Sequence, residues 1–141
     1  MDKGFTLVEL LLSLSVLAVV LLLASTTFLN LAPKYELEKA VWELRSALNA
    51  ARYRALFEGV SFRIKLSPNA YAAERYDEGQ KRWALVEKHL LEGVSIEANN
   101  SPVFTPEGTV TGLATIHVVN SWGKYKITLA VTGRIKAARV G

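Results

Sequence analysis

Residues 4–23 read GFTLVELLLSLSVLAVVLLL, an apolar run that begins near the first residue and is interrupted by one carboxylate, Glu9. A secretory signal would place positive charge before its apolar core and small residues at a cleavage site behind it. Here only Met1, Asp2, Lys3 and Gly4 precede the run, and no small-x-small site leading into a polar mature start follows it. The segment is therefore predicted to be retained. Phe5 to Ala32 carries Glu9 as its sole ionisable side chain, and it exceeds the roughly 20 residues that a helix needs to cross a bilayer.

A carboxylate in hydrocarbon costs about 2.5–3.5 kcal/mol at a helix centre and less near an end. Glu9 lies near an end, where simple hydration at the interface is one solution. Cleavage after Gly4 offers another. Phe5 would then carry a charged amine within one turn of Glu9, and two helices packed with an axial offset can pair the amine of one with the carboxylate of the next. The cost of the charge then favours assembly over a lone helix.

The series Gly4-Phe5-Thr6-Leu7-Val8-Glu9 and the apolar stretch behind it resemble the class III leader and N-terminal helix of type IV pilins and type II secretion pseudopilins. The resemblance implies cleavage between Gly4 and Phe5 by a membrane-embedded prepilin peptidase, methylation of the Phe5 amine, and a subunit-assembly role for Glu9. It implies other pilin or pseudopilin subunits as partners, a single pass through the bacterial inner membrane, and a C-terminal domain in the periplasm. Members of the family often carry a proline kink near the middle of this helix. Here Thr26 and Thr27 occupy that region and the first proline is Pro33.

The 141 residues leave room for the anchor and one domain of roughly 80–110 residues, enough for a single core. The absence of cysteine excludes disulfides, thiolate catalysis and cysteine-based metal sites. Beyond the membrane run, Leu37, Val41, Leu44, Leu48, Ala51 and Ala55 recur at three- and four-residue steps, a helical stripe suited to covering a sheet. Glu38, Lys39 and Glu43 keep the exposed face soluble. Pro33 predicts a kink or brief break, and Gly59 a C-terminal stop.

From Val60 the period changes to two: Val60, Phe62, Ile64 and Leu66 alternate with Ser61, Arg63 and Lys65, as in a half-buried strand. Further strands are predicted at residues 70–76, 83–90, 94–98, 115–120, 124–131 and 134–140, with a loop over 99–112 and a two-residue hairpin turn at Thr132-Gly133. The expected organisation is a leader (1–4), a transmembrane and assembly helix (5–32), its amphipathic continuation (33–59) and an antiparallel β domain (60–141). The fold class is α+β and pilin-like, one long N-terminal helix packed on antiparallel sheet.

The C-terminal third carries a second resemblance. Phe104-Thr105-Pro106-Glu107-Gly108, followed by a hairpin and Thr132-Gly133-Arg134-Ile135-Lys136, is similar to the domain of the GspH/FimT group of minor pilins and pseudopilins. One branch of that group resembles DNA-uptake minor pilins, in which a glycine-arginine-x-arginine motif binds DNA. Here Lys136 replaces the second arginine, which keeps a phosphate-neutralising charge but loses the bidentate fork. The same residues also have a purely structural use, since Gly133 suits a turn and Pro106 and Gly108 shape a loop.

Residues 1–107 carry a net charge of −1, whereas residues 108–141 hold Lys124, Lys126, Arg134, Lys136 and Arg139 with no acid, a net +5. Strand alternation puts Lys124 with Lys126, and Arg134 with Lys136, so a compact basic patch is expected; DNA is one partner for it, with Trp122 and Tyr125 nearby to stack on bases. Alternatively, these cations keep a tethered domain soluble or face acidic groups on neighbouring subunits. Enzymatic readings fare poorly. His89 and His117 fall in different predicted strands outside any nucleophile or metal-ligand motif, Asp77 and Glu78 lack the rest of a calcium loop, and no cofactor is implied. The expected function is a minor type IV pilin that enters or primes a pilus and contacts DNA during transformation. The alternative is a minor type II secretion pseudopilin without DNA binding. A membrane-anchored binding module outside any filament would leave Gly4 and Glu9 unexplained.

Overall fold

The computed structural model describes residues 6–140, apart from the side chains of residues 25–30. The chain divides into two compact units, Met1–Ala32 and Pro33–Gly141. Helix α1, Leu7–Glu58, supplies the first unit and the start of the second. From Leu7 to Ala24 it is rich in leucine, free of glycine and proline, and long and apolar enough to cross a membrane. The hydroxyls within this stretch are satisfied internally: Ser13 Oγ donates to the Glu9 carbonyl at 2.8 Å and Ser15 Oγ to the Leu11 carbonyl at 2.7 Å. Such bonds matter where no water is available.

The helix continues through Pro33 instead of breaking there. A proline removes one backbone donor, and the helix formers that follow it, Lys34, Glu36, Leu37, Glu38, Lys39 and Ala40, carry the ladder onward. In the second unit, Asn120 Nδ2 donates to the Pro33 carbonyl at 2.6 Å, which ties the first residue of the domain to a strand end. Leu37, Val41, Leu44, Leu48, Ala51 and Ala55 are all buried, as their spacing predicts. Gly59 ends the helix at φ +67°, a left-handed conformation that only glycine adopts cheaply, and its N–H donates to the Ala55 carbonyl at 3.1 Å.

Nine strands follow among the described residues: β1 Phe62–Ser67, β2 Ala70–Asp77, β3 Arg82–Leu90, β4 Ser95–Ala98, β5 Val103–Phe104, β6 Val110–Thr111, β7 Thr115–Asn120, β8 Gly123–Leu129 and β9 Ile135–Val140. They form two antiparallel sheets, of order β3-β2-β1-β5-β6 and β4-β7-β8-β9. The division was not predicted. Strands β5 and β6 lie inside the expected 99–112 loop, because a two-residue strand is too short to show alternation. Phe104 nevertheless pairs with Phe62 and Val110, and all three are buried. The inner faces of both sheets and the helix stripe share one core, with Phe62, Ile64, Phe104, Ile116, Val118 and Ile127 fully enclosed.

Candidate functional site

The N-terminal site begins at Thr6. Thr6-Leu7-Val8-Glu9 has the Thr-x-x-Glu order of a capping box, and Thr6 Oγ1 accepts the Glu9 N–H at 3.3 Å. Glu9 thus stands in the first turn, where the helix dipole favours a carboxylate, and its side chain is exposed. Gly4 and Phe5 lie outside the described residues. Charge alone points to Glu9, but Thr6 was overlooked. The signal for it was a threonine three residues before a glutamate at the head of an apolar run.

The C-terminal site is the outer face of the second sheet. Lys124, Lys126 and Thr128 on β8 pair with Val140, Ala138 and Lys136 on β9. Alternation therefore puts Lys124, Lys126 and Lys136 together, opposite the buried Ile127 and Leu129. Arg134 extends this face before β9 begins, its carbonyl accepting the Ala130 N–H at 2.9 Å. His117 on β7 and Glu97 on β4 continue the row beside Lys126. Lys124 Nζ lies 3.4 Å from Glu97 Oε2 in an exposed pair, the kind worth at most about 1 kcal/mol. Arg139 pairs with Tyr125 on the opposite face, and its guanidinium stacks 3.8 Å from the Trp122 ring centroid. Lys34 Nζ approaches the same ring at 5.6 Å. The five-cation patch is thus reduced to four, and Trp122 and Tyr125 are half-buried against the core instead of standing free as stacking platforms.

A family model described as the prokaryotic N-terminal methylation motif matches residues 1–25. Two solved structures of the minor pseudopilin EpsH from the type II secretion system of Vibrio cholerae share the fold. One is 13% identical with a TM-score of 0.64, covering 74% of this chain and 97% of the solved chain. The other is 12% identical with a TM-score of 0.65, covering 75% and 95%. The chain thus joins an N-terminal methylation motif to the fold of a minor pseudopilin. No curated protein matches it.

In this pilin-type domain the two C-terminal motifs meet. The Val110 N–H donates to the Val131 carbonyl at 2.9 Å, which joins the loop that follows Phe104 to the β8–β9 turn. That turn is a three-residue loop, Val131-Thr132-Gly133, not the two-residue turn expected. The Gly133 N–H closes on the Ala130 carbonyl at 2.9 Å, with Gly133 at φ +79°. Arg52 of α1 reaches this junction, its Nη2 donating to the Thr132 carbonyl at 3.1 Å. A Cβ on Gly133 would fall 2.5 Å from Arg52 Nε and 2.9 Å from the Gly108 carbonyl oxygen. The motif glycines therefore allow helix, loop and turn to close on one another. No local pattern in the sequence marks Arg52, whose partner lies far along the chain.

Proposed function

We propose that this chain is a minor pilin or pseudopilin subunit, processed between Gly4 and Phe5 by a prepilin peptidase. It passes once through the bacterial inner membrane with its domain in the periplasm, and enters a filament through α1. On this reading it is a substrate of processing enzymes and a structural component, with no catalysis of its own. The observation that carries it is a methylation motif whose apolar helix holds a single carboxylate, Glu9, in its first turn, on a pseudopilin fold. The test is isolation of filaments from cells and detection of this chain in them.

A second reading, DNA contact in a transforming pilus, is supported by Lys126, Arg134 and Lys136, which share one face and make no ion pair among the described residues. Three phosphate contacts correspond to a log–log salt slope of about −2 to −3. Titration of labelled DNA with the domain from Pro33 onward, whose core is self-contained, should give that slope. Arg134→Ala plus Lys136→Ala should reduce it to about −1 and weaken binding at every salt concentration. Absence of binding at low salt leaves a type II secretion pseudopilin, or a structural minor pilin whose cations serve subunit contacts.

A further inference from the structure

Arg139, the cation that the outer face loses, belongs to a second cluster. Strands β7 and β8 are joined by a two-residue turn, Ser121-Trp122, with Asn120 paired to Gly123 across it. The Asn120 amide is used at both ends: Oδ1 accepts the Trp122 N–H at 2.9 Å, and Nδ2 donates to the Pro33 carbonyl at 2.6 Å. The hairpin tip is thereby held against the first residue of the domain. Trp122 is half-buried, and its ring carries two cations, the Arg139 guanidinium 3.8 Å from the centroid and Lys34 Nζ at 5.6 Å. Glu38 lies one helical turn beyond Lys34, yet neither Lys34 nor Arg139 makes an ion pair among the described residues. Ser121 and Tyr35, their neighbours in sequence, are exposed. Because Arg139 points away from Lys126 and Lys136, this cluster is separate from the outer-face cations.

Pro33 is bonded directly to Ala32, the end of the apolar run. At ~1.5 Å per residue, Phe5 to Ala32 is about 42 Å long as a helix, close to the ~40–45 Å of a bilayer with its headgroups. A chain anchored through this run has Pro33, and with it the hairpin tip that Asn120 holds there, at the level where the run leaves the membrane. Tryptophan and tyrosine rings and basic side chains are the groups that favour that level, and the planar fork of an arginine suits a phosphate. We propose that Lys34, Trp122 and Arg139 form a contact for anionic phospholipid headgroups, the two cations meeting lipid phosphates while the indole supports both. Position selects lipid over other anions, because the tip is tied to the residue that follows the anchor, where lipid phosphates are concentrated. Each cation beside an anionic leaflet favours the contact about fivefold. The inference rests on the reading of residues 5–32 as a membrane anchor.

The chain contains no cysteine, so a single engineered thiol takes a fluorophore without background. Full-length Ser121→Cys chains are labelled, reconstituted into vesicles of phosphatidylcholine alone or with phosphatidylglycerol, and quenched by a lipid that carries a nitroxide on its headgroup. Gln80→Cys in the exposed β2–β3 turn is the reference. That turn lies at the end of the domain away from Pro33, since Arg75 on β2 pairs at 3.3 Å with Glu58, the last residue of α1. In anionic vesicles the Ser121 label should be quenched at least about threefold more than the Gln80 label. Neutral lipid, about 0.5 M salt, or Lys34→Gln plus Arg139→Gln should each lower that excess at least about twofold. Salt acts on the unsubstituted cations, so the test stands even if the double variant misfolds. Equal quenching of the two labels, an excess indifferent to lipid charge and salt, or its displacement by short duplex DNA would each overturn the contact. A chain that floats with neutral vesicles yet shows no excess sinks the headgroup contact alone; one that does not float overturns the anchor reading with it.

Discussion

Replacing Glu9 by Ala leaves the chain inserted in the membrane and depletes it from isolated filaments by at least about tenfold. Insertion should, if anything, become easier, since a carboxylate in hydrocarbon costs up to about 2.5–3.5 kcal/mol. On the proposed reading, assembly should suffer because Glu9 would lose its pairing with the charged Phe5 amine of an offset neighbour. A charge-assisted bond contributes about 1.5–3 kcal/mol, and 1.4 kcal/mol is already tenfold in an equilibrium. Glu9→Gln separates the two roles of the residue. Glutamine still suits the third helical position of a capping box with Thr6, but it carries no charge. If Gln fails as Ala does, the charge pairs between subunits; normal incorporation of the Gln variant would reduce Glu9 to a helix cap. The assay is an immunoblot of filament and membrane fractions from the same cells.

Gly133→Ala should destabilise the domain by about 2–4 kcal/mol, a large share of the 5–15 kcal/mol typical of a folded domain. Two costs add. The residue sits at φ +79°, where a side chain is strained, and its Cβ would lie 2.5 Å from Arg52 Nε and 2.9 Å from a backbone oxygen, that of Gly108. An arginine side chain can retreat, whereas the Gly108 carbonyl is held in a loop. Combining Gly133→Ala with Arg52→Ala should therefore recover part of the loss but not all of it. The shift in denaturant midpoint measures both variants. A change below about 0.5 kcal/mol for Gly133→Ala would mean that helix, loop and turn do not close around this glycine.

The helix and most strands were legible because burial imposes a period, 3.6 for Leu37 to Ala55 and two for Phe62 to Leu66. Where no period could develop, prediction failed. Strands β5 and β6 are two residues each, and their partners are set by Phe62 and the core rather than by local pattern. The split of the cations was legible in principle, since Lys136 and Arg139 differ in parity along one strand and must face opposite ways. Trp122 was misread for a different reason: the cations over its ring come from Lys34 and Arg139, both remote in sequence. Arg52 belongs to the same class of residue, defined wholly by tertiary approach.

The mass of the N-terminal peptide of the full chain, isolated from membranes of cells that hold a prepilin peptidase, bears most directly on what this protein is. A peptide beginning at Phe5 with a methylated amine is the expected result. A peptide that still begins at Met1, or a mature chain that begins beyond Ala32, would contradict assembly through a processed pilin helix.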